Sequence, residues 1–434
     1  MISREDQPLE YFLTRLTYGF TNPMPTTETG PYMVTAKDIN YGRILYEKAR
    51  RTSEDAYKNK VTDKCRPNLG DVLVTKDGTL GRIAVVDRNN VCINQSVALL
   101  QPKRSIRPRF LKYLLEEPSN FRRMLRDADG TTIKHIYITR LAKMKVQVPC
   151  IDEQDKILSI LGVLDDKIEN NRRMNETLEE MARAIFKSWF VDFDPVHAKS
   201  AGNAPAHMGD ETAALFPSSF GDDGLPVGWC EEELKKICKF SGGSAFKHEK
   251  QGLLAGDYPF IKVSDMNLQN NARYILDANN WITEETRAEI KAKLQPLNSI
   301  VMAKIGVALT YNRLRFLTRD TIVDNNMLAV IPNEELISST ALFLILSKYD
   351  FNFYAKGSAV PYLNASDLSV IPFVMPTEEV LSAFDLYTKP LLEKVFLNSS
   401  ENQTLAELRD TLLPKLMSGE IRVADAEREV EAAI

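Results

Sequence analysis

The sequence repeats itself at a spacing of about 227 residues, and this constrains the architecture more than any single motif. GTTIKHIYITRLAKMKVQVP (130–149) aligns without a gap on GSAVPYLNASDLSVIPFVMP (357–376). Identities are few but the pattern agrees: Ile136 falls on Leu363, Leu141 on Leu368, Met144 on Ile371 and Val146 on Phe373. The same offset carries NETLEEM, from Asn175, onto NQTLAEL, from Asn402. Upstream the offset drifts by a residue or so, as surface insertions cause. PYMVTAKDIN from Pro31 resembles PFIKVSDMN from Pro259, and VLVTKDGTLG from Val72 resembles IVMAKIGVAL from Ile300. Each copy thus runs in one order, a mixed α/β globule of about 150 residues and then a long helix.

A length of 434 residues fits two or three domains at the usual ~150 residues each. The repeat places them at 1–150 and 225–376, followed by long helices at 151–194 and, with a tail, 377–434. The expected fold class is α+β: two repeated α/β domains separated by two long packed helices with pseudo-two-fold symmetry. Between the copies, residues 195–224 are rich in Pro, Gly, Ala and Asp without sustained periodicity, and read as a linker. Asp192 and Asp194 read as part of a helix stop rather than a metal site, because Pro195 disfavours helix at the residue before it.

In the first long helix, Ile157, Leu161, Leu164, Ile168, Asn171, Asn175, Leu178, Ala182, Ile185 and Trp189 follow at intervals of four and three, an unbroken heptad seam. The second copy repeats it from Phe384 to Leu416, with flaws at Thr388 and Arg409. Two helices with one apolar stripe each are most simply packed on one another. At 1.5 Å per residue a 40-residue helix is roughly 60 Å long. The seam asparagines Asn171, Asn175, Asn398 and Asn402 cost stability but specify register, since a buried amide needs a polar partner. Antiparallel pairing sets Asn171 against Asn402 and Asn175 against Asn398. A parallel pairing also matches Asn with Asn, but the repeat favours the antiparallel one.

The net charge of −4 is unevenly placed. Residues 1–150 hold 26 Lys and Arg against 16 Asp and Glu, while residues 225–376 hold 16 of each. A basic first third suits an anionic partner despite the overall acidity. No stretch approaches the roughly 18 apolar residues of a membrane span. The five cysteines are scattered and lack CxxC spacing, and the N-terminus lacks a signal pattern, which fits a reducing cytoplasm. Cys230, Cys238 and His248 match no common metal-ligand spacing, so no metal is expected.

Motifs for catalysis are missing. An adenine methyltransferase needs an Asn-Pro-Pro-aromatic stretch and a glycine-rich cofactor loop, for which TNPMP near Asn22 does not substitute. There is no GxxxxGK[ST], GxSxG or HExxH, and GTLGR from Gly78 lacks the phosphate-loop spacing. No catalytic residue is assigned; the chain reads as one that positions other chains.

Residues 72–86 predict a hairpin about an Asp77-Gly78 turn, with Lys76, Thr79 and Arg82 at or near its tip. A projecting cationic hairpin suits phosphate contact and groove entry, the alternative being a structural hairpin with a solvated lysine. Lys304 and Gly306 keep the frame in the second copy. A second candidate is the loop after Gly130, with Thr131, Thr132, Lys134 and His135, matched by Ser358 and Tyr362. The basic run PKRSIRPRF, containing Arg104 and Arg107, and FRRMLR from Phe121 suit backbone phosphates.

DEQDKILSILGVLDDKIENNRRMNETLEEMARAIFKSWFVDFDP from Asp152 resembles the central conserved region of type I restriction-modification specificity subunits. LAELRDTLLPKLMSGEIRV from Leu405 resembles their C-terminal conserved region, and GDVLVTKDGTLG from Gly70 a recurrent motif of their recognition domains. In the second domain that pattern has become NSIVMAKIGVAL, from Asn298. The resemblance implies two target-recognition domains, each reading half of a split double-stranded DNA target, with an antiparallel coiled coil setting the spacing. It also implies two methyltransferase subunits, and restriction subunits that translocate and cut. S-adenosylmethionine, ATP and Mg would belong to those partners, with no cofactor in this chain. Half-sites about one helical turn apart, roughly ten base pairs, suit such a spacer. Two other readings remain at this point: the recognition subunit of a two-site system whose partner combines cleavage and methylation, and a coiled-coil adaptor that binds no DNA.

Overall fold

In a computed structural model the described residues are 5–126, 135–357 and 359–432. The chain forms two compact units, and the first is discontinuous: Met1–Lys167 is completed by Leu405–Ile434, while Ile168–Thr404 forms the second. Each unit holds a globule and a stretch of both long helices, which run Ile151–Phe190 and Glu378–Ser418.

The globule of the first unit is built on an antiparallel sheet in the order Leu13–Tyr18, Val97–Pro102, Val72–Thr75, Ile83–Val85. Val72–Thr75 and Val91–Ile93 are buried throughout, as uninterrupted β-branched and aliphatic runs require. A smaller sheet pairs Thr27–Val34 in parallel with Val91–Ile93. The second unit repeats the plan. Its strand order Cys238–Gly242, Met327–Pro332, Ile300–Ala303, Arg315–Leu317 matches the first sheet and adds Tyr274–Ile275, while Tyr258–Ile261 runs parallel to Thr321–Val323.

Local signals recur with the topology. After the strand Thr27–Val34, Asp38 accepts from the Thr35 peptide N–H at 2.8 Å and opens a 3-10 turn. After Tyr258–Ile261, Asp265 accepts from the Lys262 N–H at 2.7 Å in the same way. Gly19 and Gly243 occupy matching places where a Cβ would run into the backbone of Ile93 and Asp324, so neither site accepts a side chain.

Within the first unit Asp165 of the first long helix meets Arg409 of the second. Within the second unit Asn171 meets Asn402, Asn175 meets Asn398, and Phe190 packs on Phe384 with ring centroids 4.8 Å apart. Numbers rise along one helix as they fall along the other, so the pairing is antiparallel. Both departures from the seam are accommodated. Thr388 is fully buried and its hydroxyl donates to the Phe384 carbonyl one turn back at 2.9 Å. Arg409 enters a buried charge network described below.

The stretch read as a linker is folded instead. The first long helix ends at Phe190, Phe193 takes a left-handed conformation, and a new helix Asp194–Ser200 starts with Pro195 in its first turn. A further helix, Asp210–Leu215, delivers Phe216 into the core of the second unit, where its ring meets Trp189 at 4.9 Å. Lys199 ties the segment together by donating to the Ala213 carbonyl at 2.8 Å. Isolated aromatic anchors in a Pro- and Gly-rich stretch leave no periodic trace, which is why composition alone suggested a tether. Among the described residues, no helix is long and apolar enough to cross a membrane.

Candidate nucleic-acid interface

The hairpin forms as its sequence predicts: Val72 pairs with Val85, Leu73 with Ala84 and Val74 with Ile83. Its loop is held from within. The Thr75 hydroxyl donates to the Thr79 carbonyl and accepts from the Arg82 N–H, and the Arg82 guanidinium donates to the Ile39 carbonyl at 3.1 Å. Arg82 therefore braces the loop base, while Thr79 is exposed at the tip. Gly81 takes a positive φ of 77°, and a Cβ there would come 2.8 Å from the Phe121 ring. That contact brings the FRRMLR helix, Pro118–Arg126, beside the hairpin with Arg122 exposed.

In each copy the hairpin loop meets the described end of the second loop. In the first unit Ile136 N donates to the Lys76 carbonyl at 3.0 Å, and Asp77 and His135 form a β-bridge. In the second, Leu363 N donates to the Lys304 carbonyl at 2.8 Å, and Ile305 and Tyr362 form the corresponding bridge. The far side of each lysine is held alike: Lys76 N donates to the Ser96 carbonyl and Lys304 N to the Asn326 carbonyl, both at 2.9 Å. One backbone frame thus presents Asp77 and His135 in the first unit, Ile305 and Tyr362 in the second.

The first frame is polar and charged. Lys76 lies over the Tyr18 ring and pairs with Asp77 at 2.8 Å, its side chain only 16% exposed. Asp77 in turn holds His135 Nδ1 at 2.5 Å. The carboxylate fixes the imidazole's orientation and leaves Nε2 as the nitrogen able to meet a ligand. Lys76 thus neutralises Asp77 more than it projects outward. Thr131, Thr132, Lys134 and Ser358 lie outside the described residues.

Arg104 and Arg107 are not brought to this surface. Strand Val97–Pro102 pairs Val97 with Thr75 at the hairpin-tip end and Leu100 with Val72 at the other, so residues beyond Pro102 leave from the opposite end. Arg104 is exposed there, and Arg107 forms a two-pronged pair with Asp155 of the long helix at 2.8 and 2.7 Å. The run of cations expected to lie on phosphates is divided between open surface and scaffold.

Sequence reasoning missed the partners. Asp77 lies 58 positions before His135, and only the bridge joins them. Aligning the copies at a drifting offset, Asp77 on Ile305 and His135 on Tyr362, was the available signal. It also missed the Asp165 cluster, in which Arg409 donates at 2.8 Å, Tyr113 at 2.7 Å and Lys112 at 3.1 Å, with Glu116 3.0 Å from Lys112. Burial favours the neutral Asp165 carboxyl, but Lys112, Arg409 and their hydrogen bonds prevail and hold it well below the usual carboxylate range.

The family model for the type I restriction modification DNA specificity domain matches residues 25–180 and 226–383, once for each copy. The chain is 28% identical to the type I restriction enzyme MjaIX specificity subunit of Methanocaldococcus jannaschii, over 90% of this chain and 87% of that one. It is 29% identical to the HindI specificity subunit of Haemophilus influenzae, over 81% and 86%. The crystal structure of a type I restriction-modification S subunit from M. genitalium shares the fold, with a TM-score of 0.53, 18% identity and 95% of each chain covered. With the family model covering both copies, the chain belongs to the type I restriction-modification specificity subunits, the non-catalytic members of those systems.

Proposed function

We propose that this chain reads a bipartite double-stranded DNA target in the cytoplasm and directs two adenine methyltransferase subunits, and restriction subunits where present, to it. The observation that carries this reading is the duplicated frame: two loops meet at one β-bridge in both units, with matching backbone and different side chains. One scaffold offering two chemistries is what two unlike half-sites require. In the first unit the proposed readers of base edges are His135 and exposed Thr79, with exposed Arg122, next to the Phe121 that borders the hairpin, proposed to meet phosphate. In the second, Tyr362 stands where His135 does and Lys304 where Lys76 does. S-adenosylmethionine, ATP and Mg are assigned to the partner subunits.

The test is a genome-wide adenine-methylation map of cells expressing the chain with its neighbouring methyltransferase, alongside cells without the chain. A split motif, two short half-sites about an unspecified spacer, is expected only when the chain is present. His135→Ala should blur one half-site and leave the other unchanged. The same methylation without the chain would overturn the reading and favour an adaptor role.

A further inference from the structure

The second frame differs from the first in a way that its sheet does not require. Ile305 and Tyr362 are bridge partners, so their side chains share a face, and both are exposed. Gly306 N donates to the Pro361 carbonyl at 2.7 Å, and the next residue outward on each side, Val307 and Val360, is 70% and 55% exposed. The short helix Val307–Thr310 packs on the 3-10 turn Phe351–Tyr354, where the Asn352 amide donates to the Thr310 carbonyl at 3.3 Å and neighbouring Phe353 is 86% exposed. Isolated exposed apolar residues need no explanation, but several gathered on one loop tip mark a contact surface. Two cations lie nearby and are held within the unit: Lys356, hydrogen-bonded through its backbone to Tyr362, pairs with Asp367 at 2.7 Å, and Arg313, 4.6 Å from the centre of the Tyr311 ring, donates to Asn267.

We infer that this tip reads its half-site through the thymine C5-methyl group, by apolar contact in the major groove, whereas the first unit reads its half-site by hydrogen bonds. The inference rests on the DNA-reading role proposed above. The position favours DNA as the occupant, because Ile305 and Tyr362 stand on the frame that carries Asp77 and His135 in the first unit. Chemistry agrees: among base edges in the major groove, the thymine methyl is the apolar feature.

The experiment uses the full chain in complex with its methyltransferase and duplexes bearing the mapped motif, with binding followed by fluorescence anisotropy. Each thymine is replaced in turn by deoxyuridine, which removes the methyl and keeps the pairing. At one or more positions in one half-site, affinity should fall by about three- to fivefold per methyl. Val307→Ser with Val360→Ser, both on the surface and compatible with folding, should abolish that discrimination while binding stays specific for the other half-site. The inference is overturned if neither half-site contains an A·T pair, if deoxyuridine is neutral throughout, or if discrimination survives the double variant. It is also overturned if the variant lowers only methyltransferase binding or self-association. Absence of any specific binding overturns the DNA-reading role itself, a result distinct from the others.

Discussion

Asn171 donates from its side-chain amide to Asn402 Oδ1 at 3.0 Å, and Asn398 donates to Asn175 Oδ1 at 2.8 Å one turn away. A further bond from Asn171 reaches Glu401 at 2.6 Å. Leucine at 171 and 402 removes a donor and acceptor together and fills the seam with apolar volume, a change that is neutral to stabilising. Asn171→Leu with Asn402→Leu should raise the melting temperature by about 2–4 °C for each kcal/mol gained. With one of its polar pins removed, the seam should also slip more readily. Cysteine cross-linking across the helices, with exposed Cys150 and Cys230 first changed to serine, should then give products from more than one register. An unchanged melting temperature with a single cross-linked product would falsify this role for the pair.

Asp165 supplies a second pin, of opposite sign in its consequences. Asp165→Asn removes the carboxylate that Arg409 and Lys112 share, leaving them only Asp410 and Glu116, and removing one partner of a buried pair costs up to about 3–5 kcal/mol. Asp165→Leu with Arg409→Met should recover much of that. The pH dependence follows from the lowered Asp165 value. A carboxyl held lower in the folded chain than its unfolded value of about 3.9 contributes fully above that value. The contribution is lost as pH falls through the folded value. Urea midpoints measured from pH 6 to pH 2 should therefore drop in acid for the native chain and less steeply for Asp165→Asn. Parallel curves would remove Asp165 from the acid transition.

The parts legible in the sequence were those written locally. The seam was visible because Ile157, Leu161 and Leu164 lie one turn apart, and the hairpin because the strands Val72–Thr75 and Ile83–Val85 flank a seven-residue return with its glycines. Arg409 read as a flaw because its partner Asp165 sits 244 positions away on another helix. His135 read as one loop residue among several because Asp77, which orients it, belongs to another loop. Phe216 was lost in a polar stretch because a single anchor has no period. Pairing information, absent from one sequence, is common to all three.

Salt dependence separates the cations. Arg122→Ala should weaken binding to specific and unrelated duplexes alike and lower the slope of log K against log salt by about one, as loss of a phosphate contact does. Arg107→Ala should leave that slope unchanged, because its guanidinium is committed to Asp155. Anisotropy titrations between low and moderate salt decide the matter. Equal slope changes for the two variants would mean that Arg107 leaves Asp155 to meet DNA.

Phe216 tests whether residues 195–224 belong to the second unit or merely cross it. The ring is 2% exposed, lies against Trp189 at 4.9 Å and faces Trp229 at 6.3 Å, so it is wedged between the end of the long helix and the start of the second globule. Its neighbour Leu215 is 38% exposed and serves as the control. Phe216→Ala removes a buried aromatic and should cost about 3–5 kcal/mol, whereas Leu215→Ala should fall within about 0.5 kcal/mol of the native chain. Trp189 and Trp229 both border the ring, so with Trp281 changed to phenylalanine the fluorescence of the remaining two reports the unfolding of this cluster. A lower urea midpoint for Phe216→Ala alone establishes that the Pro- and Gly-rich stretch is anchored structure. Equal midpoints for the two variants would make it a tether, and the aromatic contacts at its end would carry none of the stability of the second unit.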